Sequence, residues 1–463
     1  MSLTGPEPMS TNPLRRVAFE LQTERRGRGG YPPGDVSPSL RRTHRMIADP
    51  LSLLLEAYER HGPVFSLRIL NARNVFMLGP EANHFMLVSH ADRFRWRDGG
   101  FGDLIPLLGD GMLTIDGDFH KQSRRIMLPA FHHERVRSAQ AVMEEEVERA
   151  LAPWHDGLEL DLYAWARELA LRVAMRALFG FDPERSGDER AARGRARVDG
   201  MQPAREFERA LGFYGREYWL QVLRGPGTPF RAMATARRRL DHLIYAEIAQ
   251  RRRTGARGDD VLSLLLDAPF SDRHVRDHVM TLLFAGHDTT TATIAFFFYE
   301  LARHPEVAAA IASGPAELLD QALEETLRLY PPAWIGPRRA AEAFEFAGHR
   351  VAAGAPVNYS SWASHRLPDV WEAPGEFRPE RFSPEQRARI PKGAYVPFGG
   401  GSRICLGMRF GQLEIKTIAA AVTERFRVEL PDGFRLRIRQ TPTLGPHGGL
   451  PVRVRVARAS RED

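Results

Sequence analysis

The spacing of apolar positions changes along the chain, and the changes mark out its elements. Between Asp49 and Tyr58 apolar residues recur at helical intervals, and Pro63–Leu70 and Asn74–Leu78 read as two short strands separated by an asparagine-containing turn. From about Pro80 to Ala312 nearly every segment has helical periodicity. Breaks fall at Asp98–Gly102, Pro153–Gly157, Gly180–Pro183 and Gly225–Pro229, where glycine and proline interrupt the pattern. Strand-like runs return beyond Pro331, at Phe344–Phe346, Val357–Ser360, Phe434–Ile438 and Val452–Val456. The pattern predicts a mainly α protein with small β-sheets from both ends of the sequence, an α+β class, and no tandem repeat.

The longest predicted element starts from a Ser271 N-cap with Asp272 in its first turn, runs to His304 and is stopped by Pro305. At a rise of ~1.5 Å per residue it spans on the order of 50 Å, enough to cross a domain. Gly286, His287, Asp288 and a run of threonines occupy the middle of its apolar stretch, where a charge facing lipid would be costly. The helix is therefore expected to cross a protein core with its polar centre turned to a site.

Composition narrows the function classes. The formal charge of +7 comes from basic residues scattered along 463 positions, so a solvated arginine-rich surface is expected and nucleic-acid binding is not. A single cysteine excludes an internal disulfide and a CxxC zinc pair, and a reducing, cytoplasmic compartment is the simplest assignment. The stretch from Met1 to about Ser39 is polar and lacks the apolar core of a signal peptide or membrane anchor. Residues 1–40 are accordingly expected to be a flexible leader to one domain spanning 41–463.

That lone cysteine, which elsewhere would be an ordinary small buried hydrophobe, sits in the run Phe398-Gly399-Gly400-Gly401-Ser402-Arg403-Ile404-Cys405-Leu406-Gly407, just ahead of a helical stretch from Met408 to Thr423. Glycines let a backbone approach a flat cofactor, and N–H groups at a following helix start, here on Leu406 and Gly407, stabilise a thiolate. Such a thiolate is a known ligand of haem iron and favours O–O cleavage when oxygen binds opposite.

The segment resembles the cytochrome P450 haem-binding loop F-x-x-G-x-R-x-C-x-G at every specified position, namely Phe398, Gly401, Arg403, Cys405 and Gly407. The resemblance implies the P450 fold, with haem b between the long central helix and the cysteine-loop helix. Cys405 would be the axial ligand, Phe398 would pack beside its sulfur, Gly399 and Gly407 would lie against the cofactor, and Arg403 would pair with a propionate.

Further motifs follow in the family's order. Glu325-Thr326-Leu327-Arg328 puts carboxylate and guanidinium on one helical face, an arrangement that alone is common and weak. Followed by Pro331-Pro332 and Phe377-Arg378-Pro379-Glu380-Arg381-Phe382, it is similar to the family's E-x-x-R and P-E-R-F elements, which implies a buried structural triad of Glu325, Arg328 and Arg381. Ala285-Gly286-His287-Asp288-Thr289 resembles the oxygen-activation motif A-G-x-D/E-T: Ala285 against the cofactor, Gly286 leaving room, and Thr289 and Asp288 as the alcohol and acid that handle protons. His287 is expected to be a satisfied structural histidine. His120 and Arg124, four residues apart, align with propionate contacts, as does Arg338, although the adjacent Arg339 could take its place. Gly411 departs from the family's usual alanine and weakens its helix slightly.

By the same resemblance the chain is expected to be a monomeric monooxygenase that takes O2 and two electrons and hydroxylates a hydrophobic small molecule of terpenoid, steroid, fatty-acid or polyketide type. Positional analogy places the substrate pocket at Phe101, Leu104, Ala285, Thr289, Ala333, Trp334, Ile335 and Leu444, most of them apolar or small. The electron donor would be a separate ferredoxin or flavodoxin with its reductase, docking near Lys121, Arg125 and Arg409. A peroxide-driven P450, an isomerase or coupling enzyme of the same fold, and a non-catalytic P450-shaped binding module are the alternatives. The Asp288–Thr289 pair counts against the first, and the complete cysteine loop against the last.

Overall fold

The computed structural model describes residues 13–27, 29–180, 202–214, 218–221 and 223–457. Its principal helices are α1 (Pro13–Arg26), α2 (Leu40–Ala48), α3 (Pro50–His61), α4 (Gly117–Met127), α5 (Gln140–Leu151), α6 (Leu162–Val173), α7 (Pro229–Thr254), α8 (Asp272–Arg303), α9 (Ala316–Leu329) and α10 (Met408–Arg425). Helix α8 is the axis on which α6, α7, α9 and α10 pack. Its ends are as the sequence predicts: the Ser271 hydroxyl accepts from the His274 N–H, and the His304 N–H returns to the Glu300 carbonyl. Because α8 is buried along nearly all of its length on every side, it carries no single apolar stripe.

The main sheet has six strands in the order β1 (Gly34–Asp35), β2 (Val64–Ile69), β3 (Ala72–Met77), β9 (Pro356–Tyr359), β6 (Gly336–Ala340) and β4 (Phe94–Arg95). Val64 lies opposite Met77 in the β2–β3 hairpin, and Val75 pairs in parallel with Val357, so strands from the two ends of the sequence share one sheet. A three-stranded sheet joins β10 (Phe426–Glu429), β13 (Pro451–Val456) and β5 (Glu159–Asp161), while β7 (Phe344–Phe346) and β8 (His349–Val351) form a hairpin.

Three sequence expectations are corrected. The run Phe434–Ile438 is not a strand: Phe434 turns back to the Pro431 carbonyl, and only Ile438–Arg439 (β11) pairs, with Gly445–Pro446 (β12). Strands β4 and β5 lie inside the region read as helical, each too short to show a period of two. The expected flexible leader instead contains α1, held to the body by ion pairs Glu20–Arg339 and Glu24–Arg68. The remainder of the leader up to residue 12, and Phe181–Pro183 of one predicted break, lie outside the described residues.

One buried histidine ties the α9 end to the segment entering the cysteine loop. His365 Nε2 accepts the Val396 N–H at 2.9 Å, which leaves Nδ1–H to donate to the Arg328 carbonyl at 3.2 Å, so the ring is bonded on both sides only when neutral. Burial, assisted by Arg328, pushes its pKa down to about 3. Burial does the same to His278, whose ring nitrogens have no hydrogen-bond partner. Both groups bind a proton in the unfolded chain below about pH 6.5 but not in the folded one, so stability rises with pH in that window and falls as pH drops from about 6.5 towards 3. Unfolding free energies from urea titrations between pH 7 and 5 should fall with a slope approaching about 2 to 3 kcal/mol per pH unit for the pair. His365→Gln, whose amide can both donate and accept, should remove about half of that slope.

Candidate active site

Cys405 ends a loop whose shape requires glycine at two points. Gly399 and Gly401 have φ of 69° and 58°, and a Cβ at Gly401 would lie 2.1 Å from the Leu87 carbonyl oxygen. The Cys405 N–H donates to the Phe398 carbonyl at 2.9 Å, closing the loop, and α10 begins directly after Gly407. The sulfur opens onto a cavity yet lies deep within the protein. Burial therefore raises the thiol pKa, while the Gly407 N–H and the Arg124 guanidinium pull it down. Of the two N–H donors expected from the sequence, Gly407 fills the role.

The cavity has a volume of about 2180 Å³, larger than a typical small-ligand pocket of about 300–1,000 Å³. Ala285, Gly286 and Thr289 of α8 form one wall; Phe398, Gly399, Cys405 and Gly407 form another. At Gly286 a Cβ would meet nothing within 4 Å, so the cavity continues up to the α8 backbone.

The four basic side chains expected from the sequence, His120, Arg124, Arg338 and Arg403, are among those that line the cavity. Arg403 donates to the Ile115 carbonyl at 2.9 Å and to Asp116 at 2.7 Å, but its Nη1 is buried without a partner. Arg338 lies 3.4 Å over the Trp96 ring. Burial lowers both guanidinium groups to about 10 and, helped by Arg403 and Arg124, takes His120 to about 3. Strand alternation in β6 settles which neighbouring arginine faces inward: Arg339 is spent on Glu20 and on the Asp98 and Gly354 carbonyls. A crowd of buried cations beside Asp116, with an orphaned guanidinium nitrogen, suits a flat ligand carrying two carboxylates. Together with a cysteine sulfur facing the same space, that is the chemistry of haem b.

Glu325, Arg328 and Arg381 come together outside the cavity. Arg328 donates to Glu325 at 2.7 and 2.8 Å, Arg381 reaches it at 3.3 Å, and the Arg378 N–H adds a bond at 2.9 Å. Arg328 also serves the carbonyls of His365, Pro374 and Glu376, which ties α9 to the 365–382 segment.

At the centre of α8 the two motif residues face different ways. Thr289 lines the cavity and donates to the Ala285 carbonyl at 2.6 Å. Asp288, 1% exposed, does not line it: the carboxylate accepts from the Thr443 hydroxyl and lies 3.6 Å from Arg167 and 3.9 Å from Arg439. His287 is partnered on one side only: Nε2 lies 3.1 Å from Glu208 and 3.0 Å from the Arg167 carbonyl, while Nδ1 is buried without a partner. Sequence reasoning missed Arg167, Glu208, Arg439 and Thr443; the only hint was that a buried Asp288 must have partners.

Of the expected pocket residues, Leu104, Ala285, Thr289, Ala333, Trp334 and Ile335 line the cavity. Leu444 does not. Its N–H is fixed to the Pro332 carbonyl and its side chain joins the hydrophobic core, so the preceding residues Gln440–Thr443 present themselves to the cavity instead. The side chain of Phe101 lies outside the described residues. Lys121, Arg125 and Arg409 are exposed on α4 and the first turn of α10.

The comparisons agree with this geometry. The family model for cytochrome P450 matches residues 41–313 and 316–447. Cyclooctat-9-en-7-ol 5-monooxygenase of Streptomyces melanosporofaciens is 32% identical over 92% of this chain and 95% of its own length. Putative cytochrome P450 139 of Mycobacterium tuberculosis is 31% identical over 87% and 97%. Among solved structures, retinoic acid-bound cyanobacterial CYP120A1 superposes with a TM-score of 0.79 at 27% identity, covering 92% of this chain and 100% of that one. CYP175A1 from Thermus thermophilus gives 0.74 at 27% identity, with 92% and 100% covered. The chain belongs to the cytochrome P450 family. It is an oxidoreductase of the monooxygenase kind, and its family and fold imply a haem b cofactor. Among the described residues no helix is long and apolar enough to cross a membrane.

Glu325→Gln removes the charge that three donors share and leaves Arg328 buried with no carboxylate. It should cost about 3–5 kcal/mol in denaturant titration, with haem content falling in parallel.

Proposed function

We propose that this monooxygenase hydroxylates an apolar small molecule, a terpenoid in the first instance, with steroids, fatty acids and polyketides as the neighbouring classes. The carrying observation is the shared cavity: the Cys405 sulfur opens into the same space whose farther walls are Leu104, Leu282, Phe284, Ala333, Trp334 and Ile335. Such a wall recognises hydrocarbon by area rather than by hydrogen bonds. The relative named for oxidising cyclooctat-9-en-7-ol and the structural neighbour holding retinoic acid support the choice.

Each motif residue then has a task. Cys405 would supply the thiolate: burial raises its pKa, the Gly407 N–H and Arg124 oppose that rise, and binding to iron would complete the deprotonation. Arg124, Arg338, Arg403 and His120 would hold the propionates, and Phe398, Gly399, Gly407 and Ala285 would border the ring. When bound, thiolate-ligated haem activates O2 with two electrons, inserting one oxygen atom into the substrate and releasing the other as water. Thr289 holds a proton at Oγ1 on the cavity side of α8. Asp288 faces Arg167, whose guanidinium reaches Glu208 at 2.7 Å, and Glu208 is partly exposed, so charged groups connect the helix centre to the surface. This acid–alcohol pair favours O2 over peroxide as the oxidant.

The donor is a separate ferredoxin or flavodoxin whose acidic face meets Lys121, Arg125 and Arg409. Turnover with such a donor should fall several-fold between about 0.05 and about 0.5 M salt, and a flat profile would remove this docking face. The chemistry is tested by carbon monoxide and by labelled oxygen. The reduced wild type should give the Soret band of a thiolate-ligated carbonyl complex, Cys405→Ala should lose it, and product formed under labelled O2 should carry one labelled atom. Unlabelled product would point to an isomerase or a coupling enzyme.

A further inference from the structure

Asp288 carries a formal charge in the interior, and its contacts are few. One carboxylate oxygen accepts from the Thr443 hydroxyl; the other, Oδ1, is buried without a hydrogen bond, with the Arg167 and Arg439 guanidinium groups at 3.6 and 3.9 Å, beyond hydrogen-bond length. Three nearby hydroxyls of α8 are committed to their own helix: Thr289 to the Ala285 carbonyl at 2.6 Å, Thr291 to that of His287 at 2.8 Å, and Thr293 to that of Thr289 at 2.9 Å, while Thr290 lies towards Gly411 of α10. Thr443 thus makes the hydroxyl contact to Asp288 from a different part of the chain.

Thr443 also lines the cavity, which Asp288 does not. It lies in the turn between β11 and β12, and both ends of that turn are pinned to the cavity wall. The Trp334 indole donates to the Gln440 carbonyl at 2.8 Å, and the Leu444 N–H donates to the Pro332 carbonyl at 3.0 Å. A displacement of the 332–335 wall by a bound molecule is therefore transmitted to the residue that holds the carboxylate.

We infer that Thr443 is the positioning residue of Asp288: its hydroxyl fixes the rotation of the carboxylate behind α8 and links that rotation to the wall of the substrate cavity. A hydroxyl donating to an ionised carboxylate is a charge-assisted bond, strong and directional enough to select one rotamer. Without it, Oδ2 loses its donor in a buried setting and the carboxylate must turn towards Arg167 and Arg439. The Thr443 proton stays on Oγ1 throughout; no bond is made or broken. The inference rests on the acid role proposed for Asp288.

The test uses the ferric, substrate-free holoenzyme with carbon-13 aspartate labelling and infrared difference spectroscopy. The carboxylate stretch of Asp288 is assigned by its loss in Asp288→Asn. It should shift in Thr443→Val and keep its wild-type position in Thr443→Ser, which retains the hydroxyl. Should the valine variant fail to take up haem, Thr443→Ala makes the same comparison. As a second reading, air reoxidation of the dithionite-reduced enzyme should change several-fold in Thr443→Val, in the same direction as in Asp288→Asn, and return to the wild-type rate in Thr443→Ser. An unmoved carboxylate band, or a serine variant that behaves like valine, overturns the inference. The monooxygenase reading is judged on the wild type under labelled oxygen, so the two fail separately.

Discussion

A sulfur anion deep inside a protein is an unfavourable object, and the role proposed for Cys405 requires one. Burial alone pushes the Cys405 thiol towards its neutral form; one backbone N–H, from Gly407, and one guanidinium, from Arg124, oppose it. The N–H is available because α10 starts at Met408, leaving the donors of its first turn without carbonyl partners in the helix. The loop can deliver the sulfur to that spot because Gly399 and Gly401 take positive φ and Gly401 passes against the Leu87 backbone. A side chain at Gly401 would move the loop, and with it the ligand.

The loop itself is held from behind. The fully buried Glu325–Arg328 pair is not a source of stability by charge attraction alone, since desolvating both ions offsets much of the Coulomb gain. Its value is geometric. Arg328 reaches three carbonyls of the segment between His365 and Glu376, and neutral His365 carries the connection on to Val396, next to the loop. The cation cluster on the cavity side is different in kind. Arg403 pairs with Asp116 yet keeps an orphaned nitrogen, with the Arg338 and Arg124 guanidinium groups and a neutral His120 on the same cavity, so that side of the site suits an anionic ligand. One buried charge network closes on itself and the other awaits a partner, which separates structural ions from binding ions without reference to motif.

Much of this was legible in the sequence where function depends on contiguous residues. The cysteine loop, the E-x-x-R helix and the caps of α8 are local patterns, and local patterns survive in one dimension. What was not legible depends on contacts across the fold. Strand β6 reads Gly-Pro-Arg-Arg-Ala, which has no strand signature, so nothing in one dimension decided that Arg338 faces the cavity and Arg339 the leader helix. Helix α1 is secured by Glu20 and Glu24 meeting arginines far along the chain. The pocket assignment at Leu444 failed by one residue, because the bond from its N–H to the Pro332 carbonyl ends the turn there and sends its side chain into the core.

The centre of α8 shows why the acid and the alcohol are neighbours in sequence yet not in environment. Successive residues on a helix are about 100° apart, and with Ala285, Gly286, Thr289, Thr290 and Thr293 forming the cavity face of α8, Asp288 falls outside it. The separation solves a physical conflict. A carboxylate facing an apolar chamber would be desolvated by every substrate that entered, and would either take up a proton or repel the substrate. Away from the chamber it has Arg167 for company, while Thr443 and Arg439 reach it from the chamber wall. The groups that stand between that carboxylate and the chamber are the Thr443 hydroxyl, which bonds it and can accept and donate at once, and the Arg439 guanidinium 3.9 Å away. Hydrophobic binding and proton handling can then occupy opposite faces of a single turn of helix without each degrading the other.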